Sequence, residues 1–129
     1  MIVGLDTTVV VRLLLGAPAE QARRAEVALR AALLRGDCVL VADLTIAETY
    51  FALQHHYGVP KAEARAQLLE LVSEPGFCTE PGSTARVALA ADGGPGLVDR
   101  LLHGRHRACA AVTWTFDERL ARLVAAEQP

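Results

Sequence analysis

The order of apolar and polar residues along the chain predicts strands that alternate with helices. Short apolar runs lie at residues 1–5, at Cys38–Val41, at Phe77–Thr79 and at residues 110–113. The first run shows no polar alternation, which is typical of a strand buried on both faces. A stretch with helical spacing of its apolar residues follows each run. The pattern therefore predicts an α/β protein, a three-layer α/β/α sandwich around a central, mostly parallel sheet.

The helical stretches and the loops between them can be bounded from the sequence. Helices are predicted at residues 7–15, 18–35, 43–57, 61–73, 83–91, 97–107 and 118–126. The clearest loop is the glycine-rich segment from Asp92 to Gly96. No final strand is evident before Pro129. A length of 129 residues, without repeats or linkers, predicts a single domain spanning residues 1–129.

Composition narrows the class of protein. Hydrophobic residues make up 52% of the chain, which favours a packed globule over disorder, and aromatic residues only 5%. No apolar run approaches the roughly 20 residues that a membrane span needs. A basic segment ahead of the first apolar run is missing, so a signal peptide is not expected. We expect a cytoplasmic protein with no membrane association.

The three cysteines give no sign of a metal site or a disulfide framework. Cys38, Cys78 and Cys109 are odd in number and far apart, and each lies in or beside a predicted strand. Small buried thiols are the expected state of such residues.

The charge of one segment, but not the net charge of the chain, bears on possible binding partners. The net charge of −2 provides no overall attraction to nucleic acid. In residues 99–122, however, five arginines outnumber three acids; they are Arg100, Arg105, Arg107, Arg119 and Arg122. These side chains either guide RNA phosphates or form an ordinary solvated face.

Four carboxylates occupy one kind of position, at or just after the junction of a strand or loop with a helix. They are Asp6, Glu48, Asp99 and Asp117. Because strand ends of one polarity share an edge of a parallel sheet, these groups can converge on one cleft. Converging carboxylates repel one another unless a cation lies between them, and oxygen ligands suit a hard divalent ion. The chemistry that fits is hydrolysis of a phosphodiester by a metal-activated water.

Each acid also has a purely structural interpretation. Asp6 is a candidate helix cap, and Asp99 is a favourable first-turn charge. Thr45 with Glu48, and Thr115 with Glu118, match the capping-box spacing.

The segments around these acids resemble the PIN-domain family, specifically the VapC-type ribonuclease toxins of toxin–antitoxin pairs. The resemblance covers residues 2–12, 42–49, 97–102 and 112–120, and its most specific part is Thr115-Phe116-Asp117. It implies an α/β/α endoribonuclease that depends on Mg²⁺ or Mn²⁺.

Residue roles follow from the same resemblance. Asp6 and Asp99 correspond to direct metal ligands, and Glu48 and Asp117 to groups acting through water or a second ion. Supporting polar groups are Thr8 and Thr115. Independently of the resemblance, Arg12, Arg100 and Arg119 are candidate RNA contacts, the last two because they belong to the arginine-rich segment. The resemblance also implies a homodimer and a small antitoxin whose tail fills the groove beside the acids.

Other hypotheses stay open. A non-catalytic binding module on the same fold would show neither metal dependence nor carboxylate-dependent activity. A metal-dependent hydrolase acting on another phosphoester would differ only in substrate. The pairs His55-His56 and His103/His106 are candidates for a softer metal ion or for surface polar groups.

Overall fold

The computed structural model describes residues 1–129, which form two compact units, Met1–Glu80 and Pro81–Pro129. The chain is a mixed α/β protein with seven helices and five short strands. This confirms the predicted α/β class. None of its helices combines the length and the apolar character that crossing a membrane requires. The single domain of 129 residues stays a prediction.

The first unit is built on a parallel three-stranded sheet. Its strands are β1 (Ile2–Gly4), β2 (Cys38–Val41) and β3 (Phe77–Thr79), in the order β1-β2-β3. Ile2 lies opposite Cys38, and Val39 lies opposite Phe77. The parallel arrangement requires helical crossovers, which are α1 (Thr7–Leu15), α2 (Ala19–Leu34), α3 (Asp43–His55) and α4 (Lys61–Ser73). These bounds agree closely with the predicted ones.

The prediction that the first strand is buried on both faces is wrong. Ile2 is 69% exposed and only Val3, within β1, is half-buried. The physical reason is that β1 is an edge strand of the three-stranded sheet. An uninterrupted apolar run does not distinguish an edge position from a central one.

The first unit encloses its core with aliphatic side chains from both strands and helices. The fully buried ones include Val10, Val39, Val41, Ile46, Leu53, Leu68 and Val72. Helix α1 begins after the cap residue Asp6 and ends at Gly16, whose φ of 67° lies in the left-handed region that glycine tolerates.

The second unit is smaller and has less regular structure. It contains α5 (Ala85–Ala90), α6 (Leu97–Ala108), β4 (Thr113–Trp114), α7 (Glu118–Ala121) and β5 (Ala126–Glu127). Strands β4 and β5 are parallel, with Thr113 opposite Ala126.

Two predicted elements of this unit are wrong in extent. The strand predicted at residues 110–113 begins only at Thr113, because Ala110 adopts a left-handed turn with φ of 56°. The helix predicted at 118–126 ends at Ala121, and the chain then forms β5, a final strand that was not predicted. Pairing with β4 stabilises β5, and such long-range pairing leaves no local sequence pattern.

Gly104 lies inside α6, where glycine ordinarily weakens a helix. A Cβ atom at this position would collide with the Thr84 side chain, which directly precedes α5. The glycine therefore permits close packing at the start of α5.

The cysteines differ from the expected buried thiols. Cys38 of β2 and Cys78 of β3 form a disulfide, with their Cα atoms 6.4 Å apart, and Cys109 is free and exposed. Adjacent strands bring Cys38 and Cys78 together although 40 residues separate them in sequence. Sequence spacing alone carried no signal for this pair.

Candidate functional site

Asp6 stands where β1 ends and α1 begins. Its Oδ1 accepts a hydrogen bond of 2.8 Å from the backbone N–H of Thr8, so the side chain caps α1. The carboxylate is exposed to solvent. The capping interpretation of Asp6 is thus confirmed, and it leaves the second carboxylate oxygen accessible to a ligand.

Glu48 lies on the exposed side of α3, close to the end of β1. Its Oε2 accepts a 2.8 Å hydrogen bond from the hydroxyl of Thr7, the residue after Asp6. One turn earlier, the Thr45 hydroxyl donates to the Leu5 carbonyl oxygen at 3.2 Å. These two bonds attach α3 to the β1–α1 junction. The first unit therefore brings Glu48 next to the segment that carries Asp6.

The capping box predicted from Thr45 and Glu48 does not form, because both side chains bond to the β1–α1 junction instead. Helix α3 begins after Ala42, which offers no side-chain cap. The backbone N–H of Asp43 donates to Oε1 of Glu80 at 2.9 Å. Glu80 follows β3 directly, and sequence analysis missed it, although a carboxylate directly after a strand was the available signal.

The carboxyl ends of the three parallel strands thus share an edge with several acids. Asp6 follows β1, the buried Asp43 lies after β2, and Glu80 follows β3. In open parallel sheets ligands bind outside the carboxyl ends of the strands, so this acidic edge is a candidate ligand site.

The other two predicted acids belong to the second unit. Asp99 is half-buried in the first turn of α6, where a negative charge interacts favourably with the helix dipole. Asp117 is exposed and caps α7, since its Oδ1 accepts from the backbone N–H of Leu120 at 2.9 Å. The Thr115 hydroxyl accepts from the Asp117 backbone N–H at 3.0 Å. Asp117, not Thr115, is the cap residue, so the box of Thr115 with Glu118 is absent.

The predicted acids are therefore divided two and two between the units. Within each unit, no group of three or more His, Cys, Asp or Glu side chains is arranged to hold a metal ion. Asp6 and Glu48 lie at one junction of the first unit. A site made of all four carboxylates stays a prediction.

The candidate RNA-binding arginines differ in their partners. Arg12 donates from Nε to Oε1 of Gln21 at 2.7 Å. Arg100 donates to the carbonyl oxygens of Pro95 and Gly93, at 3.0 and 2.8 Å, and so closes the glycine-rich loop. Arg119 is exposed.

A groove of about 590 Å³ lies in the first unit beside the start of α1. Its lining is mostly apolar and includes Leu5, Val9 and Leu29. Arg12 and Arg24 also line it, whereas no acidic side chain does. The groove is therefore suited to an apolar ligand that carries negative charge.

His103 and His106 of α6 both face the hydroxyl of Thr113 on β4. Their Nδ1 atoms lie 2.7 and 2.8 Å from Thr113 Oγ1, and Nε2 of His103 lies 3.0 Å from the carbonyl oxygen of Val124. A carbonyl only accepts, so Nε2 of His103 donates to the Val124 oxygen. The Thr113 hydroxyl, which can both donate and accept, bridges the Nδ1 atoms of the two histidines. This chain joins α6 to β4, and it is a structural use of the two histidines.

Asp37 lies at the opposite, amino-terminal edge of the sheet, just before β2. Hydrogen bonds from the Met1 amino group (3.1 Å) and from Arg35 (2.8 Å) hold the pKa of Asp37 below its ordinary value. Partial desolvation opposes this shift without reversing it. The charged network at this edge stabilises the start of β2 and is separate from Asp6.

No protein-family model matches the chain, and comparison with curated proteins and with solved structures gave no match. The resemblance to PIN domains consequently rests on the sequence segments around Asp6, Glu48, Asp99 and Asp117, and what it implies about function is a proposal.

Proposed function

We propose that the chain is a metal-dependent endoribonuclease of the PIN-like, VapC-type class, acting as the toxin of a toxin–antitoxin pair. The observation that carries this proposal is the junction at the carboxyl edge of the sheet, where the Thr7 hydroxyl bonds Glu48 beside Asp6. An exposed cap carboxylate next to a second, oriented carboxylate is a suitable start for a hard-cation site.

The donor chemistry of the predicted residues fits Mg²⁺ or Mn²⁺, since all four acids offer only oxygen. Asp6 and Asp99 would bind the ion directly, and Glu48 and Asp117 would act through water or a second ion. Bound there, the ion supplies Lewis-acid activation of water and charge stabilisation at the leaving oxygen.

The protein groups have their own tasks in this scheme. The bond from Thr7 fixes one oxygen of Glu48, which leaves the other free to hold the attacking water and take its proton. Thr115 orients the turn that carries Asp117 through its bond to the Asp117 N–H. Thr8 keeps Asp6 in place through its backbone N–H.

The remaining parts of the proposal concern fold and partners. They are a three-layer α/β/α sandwich, a homodimer, a cytoplasmic location, an RNA substrate and an antitoxin. The groove beside α1 supports the antitoxin proposal, because its lining includes Leu5 and Thr8, which are close to Asp6 in sequence, and has arginines but no acids.

The test is cleavage of a structured RNA by the purified protein with Mg²⁺, with Mn²⁺ and with a chelator. Asp6→Asn and Asp99→Asn are expected to reduce cleavage to background. Asparagine caps a helix about as well as aspartate, so Asp6→Asn separates loss of a metal ligand from loss of the α1 cap. The matched control is Asp92→Asn, in the glycine-rich loop, which is expected to cleave like the wild type. Wild-type cleavage by either site variant would overturn the proposal.

A second candidate, the non-catalytic binding module, is favoured by one observation: Asp6 and Asp117 both act as helix caps. It predicts no cleavage in any condition and no rise of the melting temperature on adding Mg²⁺ or Mn²⁺. A metal- and acid-dependent activity on a different phosphoester would instead indicate another hydrolase.

A further inference from the structure

One face of α3 is exposed although two of its residues are large and apolar. The face consists of Leu44, Glu48, Phe51 and His55, which recur every three or four residues. Leu44 is 70% exposed and Phe51 is 46% exposed. We call these four residues the α3 face.

The rings on the α3 face are held in a defined arrangement. The rings of Phe51 and His55 are stacked, with centroids 6.0 Å apart and an interplanar angle of 23°. The ring of Tyr50, which is buried, has its centroid 5.8 Å from that of Phe51, with an interplanar angle of 52°. Phe51 thus has a buried aromatic neighbour while almost half of its own surface faces solvent. Because these side chains are already ordered, they lose little conformational entropy when a further ring stacks on them.

The position of the rings relates them to the proposed site. Phe51 follows Glu48 by three residues, about 4.5 Å along the helix axis, and His55 lies about 6 Å further. All three side chains project from the same face. An RNA strand that reaches the junction of Asp6 and Glu48 would therefore have a base beside Phe51.

We propose that Phe51 and His55 form a stacking surface for the bases of single-stranded RNA next to Glu48. This inference rests on the proposed nuclease function, because it assigns the substrate surface of that same site. Aromatic and imidazole rings stack on any base, so the surface favours unpaired over duplex RNA rather than one particular sequence. The stacked geometry favours a planar occupant, because a base can lie against a ring that is already held in place.

The test is binding of fluorescently labelled oligouridylate, oligoadenylate and a duplex RNA to the full chain, measured by anisotropy with chelator present. Phe51→Ala and Phe51→Leu are both expected to weaken single-strand binding about five-fold or more, the loss typical of one stacked base. Phe51→Trp is expected to restore binding, and His55→Ala to weaken it less. Leu34→Ala, which truncates an 82% exposed residue of α2, is the control for loss of apolar surface.

The outcomes separate this inference from the proposed function. Wild-type cleavage with unchanged binding and KM in Phe51→Ala would overturn the stacking surface and leave the nuclease standing. Phe51-dependent binding without metal-dependent cleavage would overturn the nuclease and leave the stacking surface. Equal binding by Phe51→Leu and the wild type would overturn the stacking argument in favour of a merely apolar contact. Loss of a dimer in Phe51→Ala, with RNA binding unchanged, would assign the α3 face to a second copy of the chain.

Discussion

The two units of the molecule are stabilised by different kinds of contact. Eight of the ten largest fully buried side chains belong to residues 1–80, and the remaining two are Leu97 and Thr113. In the first unit, β1, β2 and β3 form a parallel sheet with aliphatic residues between sheet and helices. In the second unit, the two strands have two residues each, and the polar chain of His103, Thr113 and His106 links α6 to β4.

The difference shows that the effect of a buried polar group on stability depends on whether it has hydrogen-bond partners. Each unit buries one threonine almost completely: Thr49 in α3 and Thr113 in β4. The Thr49 hydroxyl has no hydrogen-bond partner, whereas that of Thr113 has two. The first hydroxyl weakens an apolar core, and the second stabilises a unit with few large apolar residues.

The largest effect is expected from the aliphatic core of the first unit. Leu53 is fully buried, so Leu53→Ala removes its buried methyl groups and leaves a cavity. The expected loss of unfolding free energy is about 2–5 kcal/mol, measured by urea denaturation. Leu34→Ala, at an exposed site, is the control, and a loss as small as that of the control would contradict an aliphatic core at this position.

Thr113→Val is expected to break the polar link of the second unit. The substitution keeps the side-chain shape but leaves Nδ1 of both histidines without the hydroxyl. The expected destabilisation is about 1–3 kcal/mol, with faster hydrogen exchange of amides in residues 81–129. Unchanged stability would mean that the hydroxyl is dispensable to this unit.

Gly104→Ala tests the close packing at the start of α5. In an open helix the change would stabilise by up to about 1 kcal/mol, but here the new methyl group collides with Thr84. We expect a loss of about 1–3 kcal/mol by overpacking. The double variant with Thr84→Ala is expected to recover most of it, and if the single variant were more stable than the wild type, the close approach would be disproved.

Thr49→Val is expected to act in the opposite direction to Thr113→Val. Because the Thr49 hydroxyl is buried without a partner, replacing it with a methyl group should stabilise by about 1 kcal/mol. Urea denaturation of both Thr→Val variants side by side provides the comparison. Destabilisation by Thr49→Val as well would contradict the claim that the Thr49 hydroxyl weakens the core.

The smallest expected effect is on the stability of the fold at acidic pH. The pKa of Asp37 is lowered by the Met1 amino group and Arg35, so the charged form stabilises the fold. This contribution is fully present above the unfolded-state pKa, near 4, and is lost as pH falls through the lower folded-state pKa. In Asp37→Asn the dependence of stability on pH below about 4 should be weaker than in the wild type. An unchanged acid profile would contradict the role of Asp37.

The regions predicted well from sequence are those whose structure depends on nearby residues. Strands β2 and β3 and helix α4 have the bounds that periodicity and flanking Gly and Pro residues predicted. The cap by Asp6 follows from the local preference for aspartate before a helix, whereas at α7 the sequence pointed to Thr115 and the structure has Asp117 as the cap. The errors at β1, at residues 110–113 and at β5 all concern pairing or burial, which depends on distant residues.

In the candidate site, the positions of the carboxylates relative to strands and helices follow from local sequence, because short-range propensities set those boundaries. The long-range contacts follow from the folded arrangement instead: Glu48 bonds to Thr7, Glu80 caps α3, Cys38 meets Cys78, and His103 and His106 share one hydroxyl. Each of these contacts joins residues that are distant in sequence or lie on different elements. Their energies depend on distance and burial in the folded chain, which no local pattern of residues encodes.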